Sequence, residues 1–251
     1  MPTTPRASHD SSDAAVPRRA FLSTLAAVGA ASLVTARATP LFAGTVSSAP
    51  SASLRARDGQ ARGTSPADAL GRLMAGNDRF VRGVPQAPHR DLASLRAVEP
   101  KQTPFAAVLG CSDSRVPVEI LFDQGFGDIF PVRVAGNIVT PEVMGSLEFG
   151  TAVLGAEVLF VLGHTKCGAV KATIDGAAVP GQISSLFYHI QPAVEAAKGQ
   201  IGAAVIENVR RQAELLRRSS PVLSGLVREG KLRIEGGVFD LATGVVTLLA
   251  P

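Results

Sequence analysis

Cys111, Asp113 and Arg115 stand at alternate positions in the stretch GCSDSRVP, directly after the apolar run Phe105 to Leu109. Further on, the apolar run Val158 to Leu162 leads into GHTKCG, where His164 and Cys167 form an H-x-x-C pair. The chain has 2 cysteines, and these are both of them. Two thiolates and an imidazole are soft or borderline ligands that suit a tetrahedral zinc with one position left open. Spacing alone leaves a second reading standing: in an exported protein two cysteines can form a disulfide, with His164 as a core histidine at a strand end. The Asp-x-Arg unit also reads two ways. A forked, always charged guanidinium can hold a carboxylate ionised and pointed, or the two can form a plain surface ion pair worth less than about 1 kcal/mol.

These residues need elements that bring them together. Phe105 to Leu109, Ile129 to Val134, Val158 to Leu162, Lys231 to Gly236 and Val245 to Leu249 read as strands. Helical patterns lie between them: from Pro117, over Pro141 to Leu154, from Gly168, and in a long stretch from about Pro192 to Arg218. Ser65-Pro66-Ala67-Asp68 is a helix start, with a capping serine, proline in the first turn and an acid after it; Leu70, Leu73, Met74, Asn77 and Val81 follow at helical spacing. The alternation predicts an α/β fold: a mostly parallel central sheet with helices on both faces. The last pair of strands, joined through DLATG, predicts a hairpin that adds an antiparallel edge strand. In such a sheet Cys111 and His164 follow strand ends at the carboxyl edge, where α/β folds place their ligands.

The first 43 residues read as an address, with a polar start, then PRRAFLS, the apolar stretch Leu22 to Val34, and Ala36-Arg37-Ala38. That apolar stretch is short of the roughly 20 residues of a spanning helix, so no membrane anchor is expected after cleavage. Arg18-Arg19 before Phe21-Leu22 resembles the twin-arginine type of export signal, with an ordinary secretory signal as the alternative. The expected organisation is an export signal over 1–43, a flexible Ser/Ala/Gly/Arg-rich linker over 44–64, and one catalytic domain over 65–251, with the mature protein outside the cytoplasm. The formal charge is +4, and residues 1 to 43 hold four arginines against Asp10 and Asp13, so the remainder carries +2. That excess is too small to argue for nucleic acid as a partner.

CSDSRVP followed by GHTKCGAV, with LMAGNDRFVRG before them and VRVAGNIV between, resembles the β class of carbonic anhydrases over roughly Ser65 to Leu249. The resemblance implies zinc as cofactor, carbon dioxide and bicarbonate as substrate and product, and a homodimer or homotetramer. Residue by residue, it implies that Cys111, His164 and Cys167 bind the metal and that Asp113 and Arg115 are the catalytic acid–arginine pair. Gln102, Phe130 and Phe149 match residues lining the substrate pocket, part of it supplied by a neighbouring subunit. Tyrosine is frequent in the family where this chain has Phe149. Gly136 and Asn137 are expected to shape the pocket floor by close backbone approach.

Zinc with an open position brings the pKa of a bound water to about 7, a value set by carbonic anhydrases with a different ligand set. Arg115 would keep Asp113 off the metal. Two alternatives to carbon dioxide hydration remain at this level. One is hydrolysis of carbonyl sulfide or carbon disulfide on the same scaffold. The other is a non-catalytic zinc-binding or redox protein, against which the presence of Asp113 and Arg115 argues. His89 and His189 are candidate proton relays or unremarkable histidines.

Overall fold

The computed structural model describes residues 65–176 and 178–250. The expected export signal and linker lie outside the described residues.

The chain enters through α1 (Pro66–Val81), whose N-cap Ser65 accepts a hydrogen bond from the Asp68 N–H, as the sequence predicts. There follow α2 (Leu92–Val98), β1 (Ala106–Gly110), α3 (Val118–Leu121), β2 (Ile129–Arg133) and α4 (Pro141–Glu148). α4 runs on into a π-helical turn, Phe149–Val153. The rest is β3 (Val158–His164), α5 (Gly168–Asp175), α6 (Ser185–Ala196), α7 (Ile201–Ser219), α8 (Pro221–Arg228), β4 (Arg233–Phe239) and β5 (Val246–Leu248).

The sheet order is β2-β1-β3-β4-β5. The first four strands are parallel, and β5 adds antiparallel to β4. The turn between them is closed by Asp240 N–H to Val245 O and Gly244 N–H to Asp240 O. The mixed sheet with its antiparallel edge is the expected fold class.

β1 and β3 are buried along their whole length. Ala106, Val108, Val158, Phe160 and Leu162 face Leu70 and Leu73 of α1, Leu121 of α3 and Phe122 just after it. The alternate residues Ala107, Leu109, Leu159 and Val161 face Val143 and Leu147 of α4 and Val209, Ala213 and Leu216 of α7. The period of two thus distributes one continuous apolar run to two helix layers. Asn77 ties α1 to both ends of this arrangement: Nδ2 donates to Leu121 O and Gly244 O, and Oδ1 accepts from the Val246 N–H.

Two local expectations change. The helical stretch from Pro192 to Arg218 is two helices, α6 and α7, because Lys198 and Gly199 turn left-handed at φ 51° and 73°. Pro192 lies inside α6 and does not start it. α2 and α8, of 7 and 8 residues, are not among the helices expected from the sequence. Among the described residues no helix is long and apolar enough to cross a membrane.

Candidate metal centre and active site

Cys111 is the first residue beyond β1, and His164 is the last of β3. A short turn through Lys166, at φ 56°, carries the chain to Cys167, the N-cap of α5. Because β1 and β3 are neighbours in parallel register, these three residues arrive at one edge of the sheet. The Cys111 and Cys167 sulfurs and a His164 ring nitrogen all lie within 4.8 Å of one another. Both cysteines are free and buried, and no disulfide joins them.

His164 is oriented from behind. Its Nδ1 lies 3.0 Å from the Thr165 carbonyl, and Thr165 is itself held by Phe239 O and the Leu241 N–H. Nδ1 donating to that carbonyl leaves the Nε2 lone pair free. Nε2 is buried without a hydrogen-bond partner, an arrangement costly for a structural histidine and suited to a ligand.

The sulfurs share charge unequally. A hydrogen bond from Cys167, helped by His164 and the Gly136 N–H against the cost of burial, pulls the Cys111 thiol down to about 4. The same contact pushes Cys167 up, with burial adding to it, while the Ala169 and Val170 N–H groups at the start of α5 work the other way. Two thiolates so close need a cation between them to ionise together. Burial opposes a charged His164, but its contacts with Cys111 and the Thr165 carbonyl outweigh that and raise its pKa. The donor set, its spacing and the orphaned Nε2 fit a zinc ion.

Asp113 stands at the rim. Its Oδ2 is 3.9 Å from His164 Nε2. Arg115 Nε donates to Oδ1 at 2.9 Å, Arg115 Nη2 to Oδ2 at 2.7 Å, and the Arg115 N–H to Oδ1 at 2.9 Å. This bidentate clasp holds the carboxyl well below the usual carboxylate range despite partial desolvation. The loop carrying it is pinned by Arg133 of β2, whose Nε donates to Cys111 O at 3.0 Å and Nη2 to Asp113 O at 2.7 Å.

Gly136 and Asn137 lie against the centre. The Gly136 N–H is 3.3 Å from Cys111 Sγ. Gln102, Phe130 and Phe149 lie elsewhere. Phe130 pairs with Ala107, four residues before Cys111 and so about 13 Å away along the strand. The Phe149 ring lies 6.2 Å from it, and Gln102 shares a surface cleft with Val153 and Leu154. Within one chain these three do not meet the cysteines. His89 hydrogen-bonds Asp128 at 2.8 Å, and His189 packs on Tyr188. Sequence reasoning did not find Arg133, nor the buried Asn208 and Gln212 of α7 that hold the Gly136 loop.

A family model described as carbonic anhydrase matches residues 106–246. Carbonic anhydrase 2 of Mycobacterium tuberculosis is 35% identical over 193 residues, covering 74% of this chain and 93% of the relative. Carbonic anhydrase of Mycolicibacterium smegmatis is 36% identical, covering 74% and 94%. Among solved structures, a Coccomyxa β-carbonic anhydrase in complex with acetazolamide superposes with TM-score 0.56 at 27% identity, covering 74% of this chain and 85% of that one. A tetrameric β-carbonic anhydrase from Sordaria macrospora shares the fold, with TM-score 0.59 at 21% identity, covering 74% of this chain and 95% of that one. With the mixed sheet and the Cys–His–Cys cluster at its carboxyl edge, these likenesses establish that the chain belongs to the β-class carbonic anhydrases, a family of lyases.

Proposed function

We propose that this chain catalyses the zinc-dependent, reversible hydration of carbon dioxide to bicarbonate and a proton, with Cys111, His164 and Cys167 holding the metal and Asp113 and Arg115 acting beside it. The observation that carries this reading is the buried, unpartnered His164 Nε2 facing two free sulfurs, with the Arg115-clasped carboxylate 3.9 Å away. Zinc held there supplies a Lewis acid that makes water nucleophilic near neutral pH. The chain's own residues do the rest. Asp113 stays ionised under the Arg115 fork, and its Oδ2 accepts a hydrogen bond from the attacking water, which orients it toward substrate. Arg115 also keeps both carboxylate oxygens engaged, so that neither closes the centre.

Gln102, Phe130 and Phe149 support a pocket completed by a second copy. β2 is an edge strand whose residues Phe130 to Arg133 are half-buried or exposed, and Phe149 is 47% exposed. A homodimer or dimer of dimers would bring such residues to a partner's metal centre. The pair Arg18-Arg19 before the apolar stretch favours export by a twin-arginine route; changing both to lysine should leave the protein in the cytoplasm, and normal export of that variant would overturn the route.

The deciding experiment for the reaction is stopped-flow carbon dioxide hydration on protein analysed for metal, with carbonyl sulfide as a competing substrate. About one zinc per chain with rapid hydration is expected. A zinc-loaded protein inert toward carbon dioxide but active on carbonyl sulfide would replace this reading with the hydrolase.

A further inference from the structure

We infer that Asn208 and Gln212, one turn apart on α7, are positioning residues for the metal centre: they hold the Gly136–Val139 loop so that the Gly136 N–H bonds the Cys111 sulfur. The inference rests on the metal-centre reading above and adds to it a part of the chain that touches neither metal nor substrate.

The loop is a poor candidate to hold its own shape. Gly136 and Asn137 are successive left-handed residues, at φ 75° and 45°, and for a non-glycine residue that conformation costs on the order of 1 kcal/mol or more. A side chain at Gly136 would have to displace Ile190, since a Cβ there would lie 2.7 Å from Ile190 Cδ1 and 3.2 Å from Ala169 Cβ. Both residues are buried, and Asn137 Nδ2 has no hydrogen-bond partner. Something outside the loop has to fix it.

α7 does so at both ends. Asn208 Nδ2 donates to Gly136 O at 2.9 Å, and Gln212 Oε1 accepts from the Val139 N–H at 2.8 Å. Gln212 Nε2 donates to Asn208 Oδ1 at 3.1 Å, locking the two amides to each other, and also reaches His189 O at 3.4 Å. Asn208 and Gln212 are 1% and 3% exposed. Two buried amides oriented by one another, with both remaining groups directed at one loop, form a preset clamp whose output is the Gly136 N–H aimed at Cys111 Sγ at 3.3 Å. A hydrogen bond to a ligating thiolate withdraws charge from the sulfur and holds it in place, so losing the clamp would raise the energy of the sulfur electrons and also release Cys111 from the position that a metal needs. Residues behind metal ligands typically change metal affinity 10–100-fold when removed.

The test uses the full chain, loaded with cobalt(II) or zinc after metal removal. Wild type should show a thiolate-to-cobalt charge-transfer band; if it shows none, the metal reading itself fails and this inference falls with it. Asn208→Leu keeps the side chain's size and removes both amide bonds. It should shift that band to lower energy and weaken zinc binding about 10–100-fold in competition with a chelator. Leu216→Ala, a buried cavity on the same helix away from the loop, should lower the melting temperature and leave band and affinity alone. Should Asn208→Leu not fold, Gln212→Glu gives the same reading in milder form: it keeps the acceptor for Val139, loses the donor to Asn208, and should shift the band part of the way. An unshifted band and unchanged affinity in whichever variant folds would overturn the inference, as would an equal shift in Leu216→Ala.

Discussion

Arg115 grips Asp113 through both carboxylate oxygens and through its own backbone N–H, while the same carboxylate lies 3.9 Å from His164 Nε2. Residues two apart in sequence thereby form a closed unit at the mouth of the Cys–His–Cys cluster. The guanidinium is half-exposed and the carboxylate is largely covered, with side-chain exposures of 54% and 17%. As a surface pair this would contribute little. Its significance lies in direction: Arg115 holds Asp113 ionised and pointed, which would keep the carboxylate from serving as a fourth ligand to a metal in the cluster.

Asp113→Ala and Arg115→Ala should therefore keep zinc and lose activity, each by about a hundredfold or more, as when an oriented active-site hydrogen bond is removed. They should fail differently. A structure of the first should leave the coordination position toward Asp113 open, and one of the second should place the Asp113 carboxylate there. Near-native hydration by either variant at neutral pH would remove the pair from the mechanism.

His164→Ala and Cys167→Ser should lower bound zinc well below one per chain. The proposed ligands come from the ends of β1 and β3 and the start of α5, so zinc would bind the folded state preferentially and should stabilise it by mass action. Removing zinc from wild type with a chelator should lower the melting temperature, whereas the same chelator should hardly move either variant. Equal shifts in all three would mean that the stabilising metal sits elsewhere.

Asp123 is fully buried and accepts from Arg79 Nε at 2.7 Å and from the Gln86 and Ala87 N–H groups at 2.9 Å. Burial opposes its charge, yet the Arg79 and backbone hydrogen bonds outweigh it and lower its pKa. A depressed folded-state pKa means stability that is present above the unfolded value of about 3.9 and is lost as pH falls through the folded one. Asp123→Asn should cost about 3 kcal/mol at pH 7, because it leaves Arg79 unpaired beside a buried amide. The gap between wild type and variant should narrow as pH drops below about 4, read by urea unfolding across pH. A gap independent of pH would show that charge is not what Asp123 contributes.

That Cys111, His164 and Cys167 meet, with Asp113 at the rim, was legible because their chemistry is rare and they lie at or just past the ends of strands that are apolar throughout. Cys111 and His164 need only the parallel register of β1 and β3 to meet. Asn208 and Gln212 were not legible. In sequence they resemble the polar face of an amphipathic helix, and only α6 and the Gly136 loop closing over that face turn it inward. Gln102, Phe130 and Phe149 were expected by resemblance to line a pocket, yet periodicity gives no hint that they lie toward the opposite end of the strands from Cys111. The break between α6 and α7 was hidden because Ala197 and Lys198 before the single Gly199, and Gln200 after it, all favour helix.

Val209, next to Asn208 on α7, meets two strands of the sheet where each carries a glycine. A Cβ at Gly163, beside His164 on β3, would lie 2.5 Å from Val209 Cγ2, and one at Gly236 on β4 would lie 2.7 Å from Val209 Cγ1. The two methyls thus occupy space that these glycines leave on neighbouring strands, and α7 can approach no closer with any larger residue there. Gly163→Ala should cost about 1–3 kcal/mol through overpacking. Val209→Ala should cost stability through the lost burial of its methyls. In the double variant the new methyl fills the space vacated by the old ones, so the combined loss should be smaller than the sum by roughly 0.5–3 kcal/mol. Because α7 also carries the Asn208 clamp, Gly163→Ala alone should weaken zinc binding, and Val209→Ala added to it should restore binding. Urea unfolding and chelator competition on the four proteins of this cycle measure both effects. Strict additivity in stability would show that the close approach of α7 at Gly163 is not limiting, and unrestored zinc affinity would separate helix position from the metal centre.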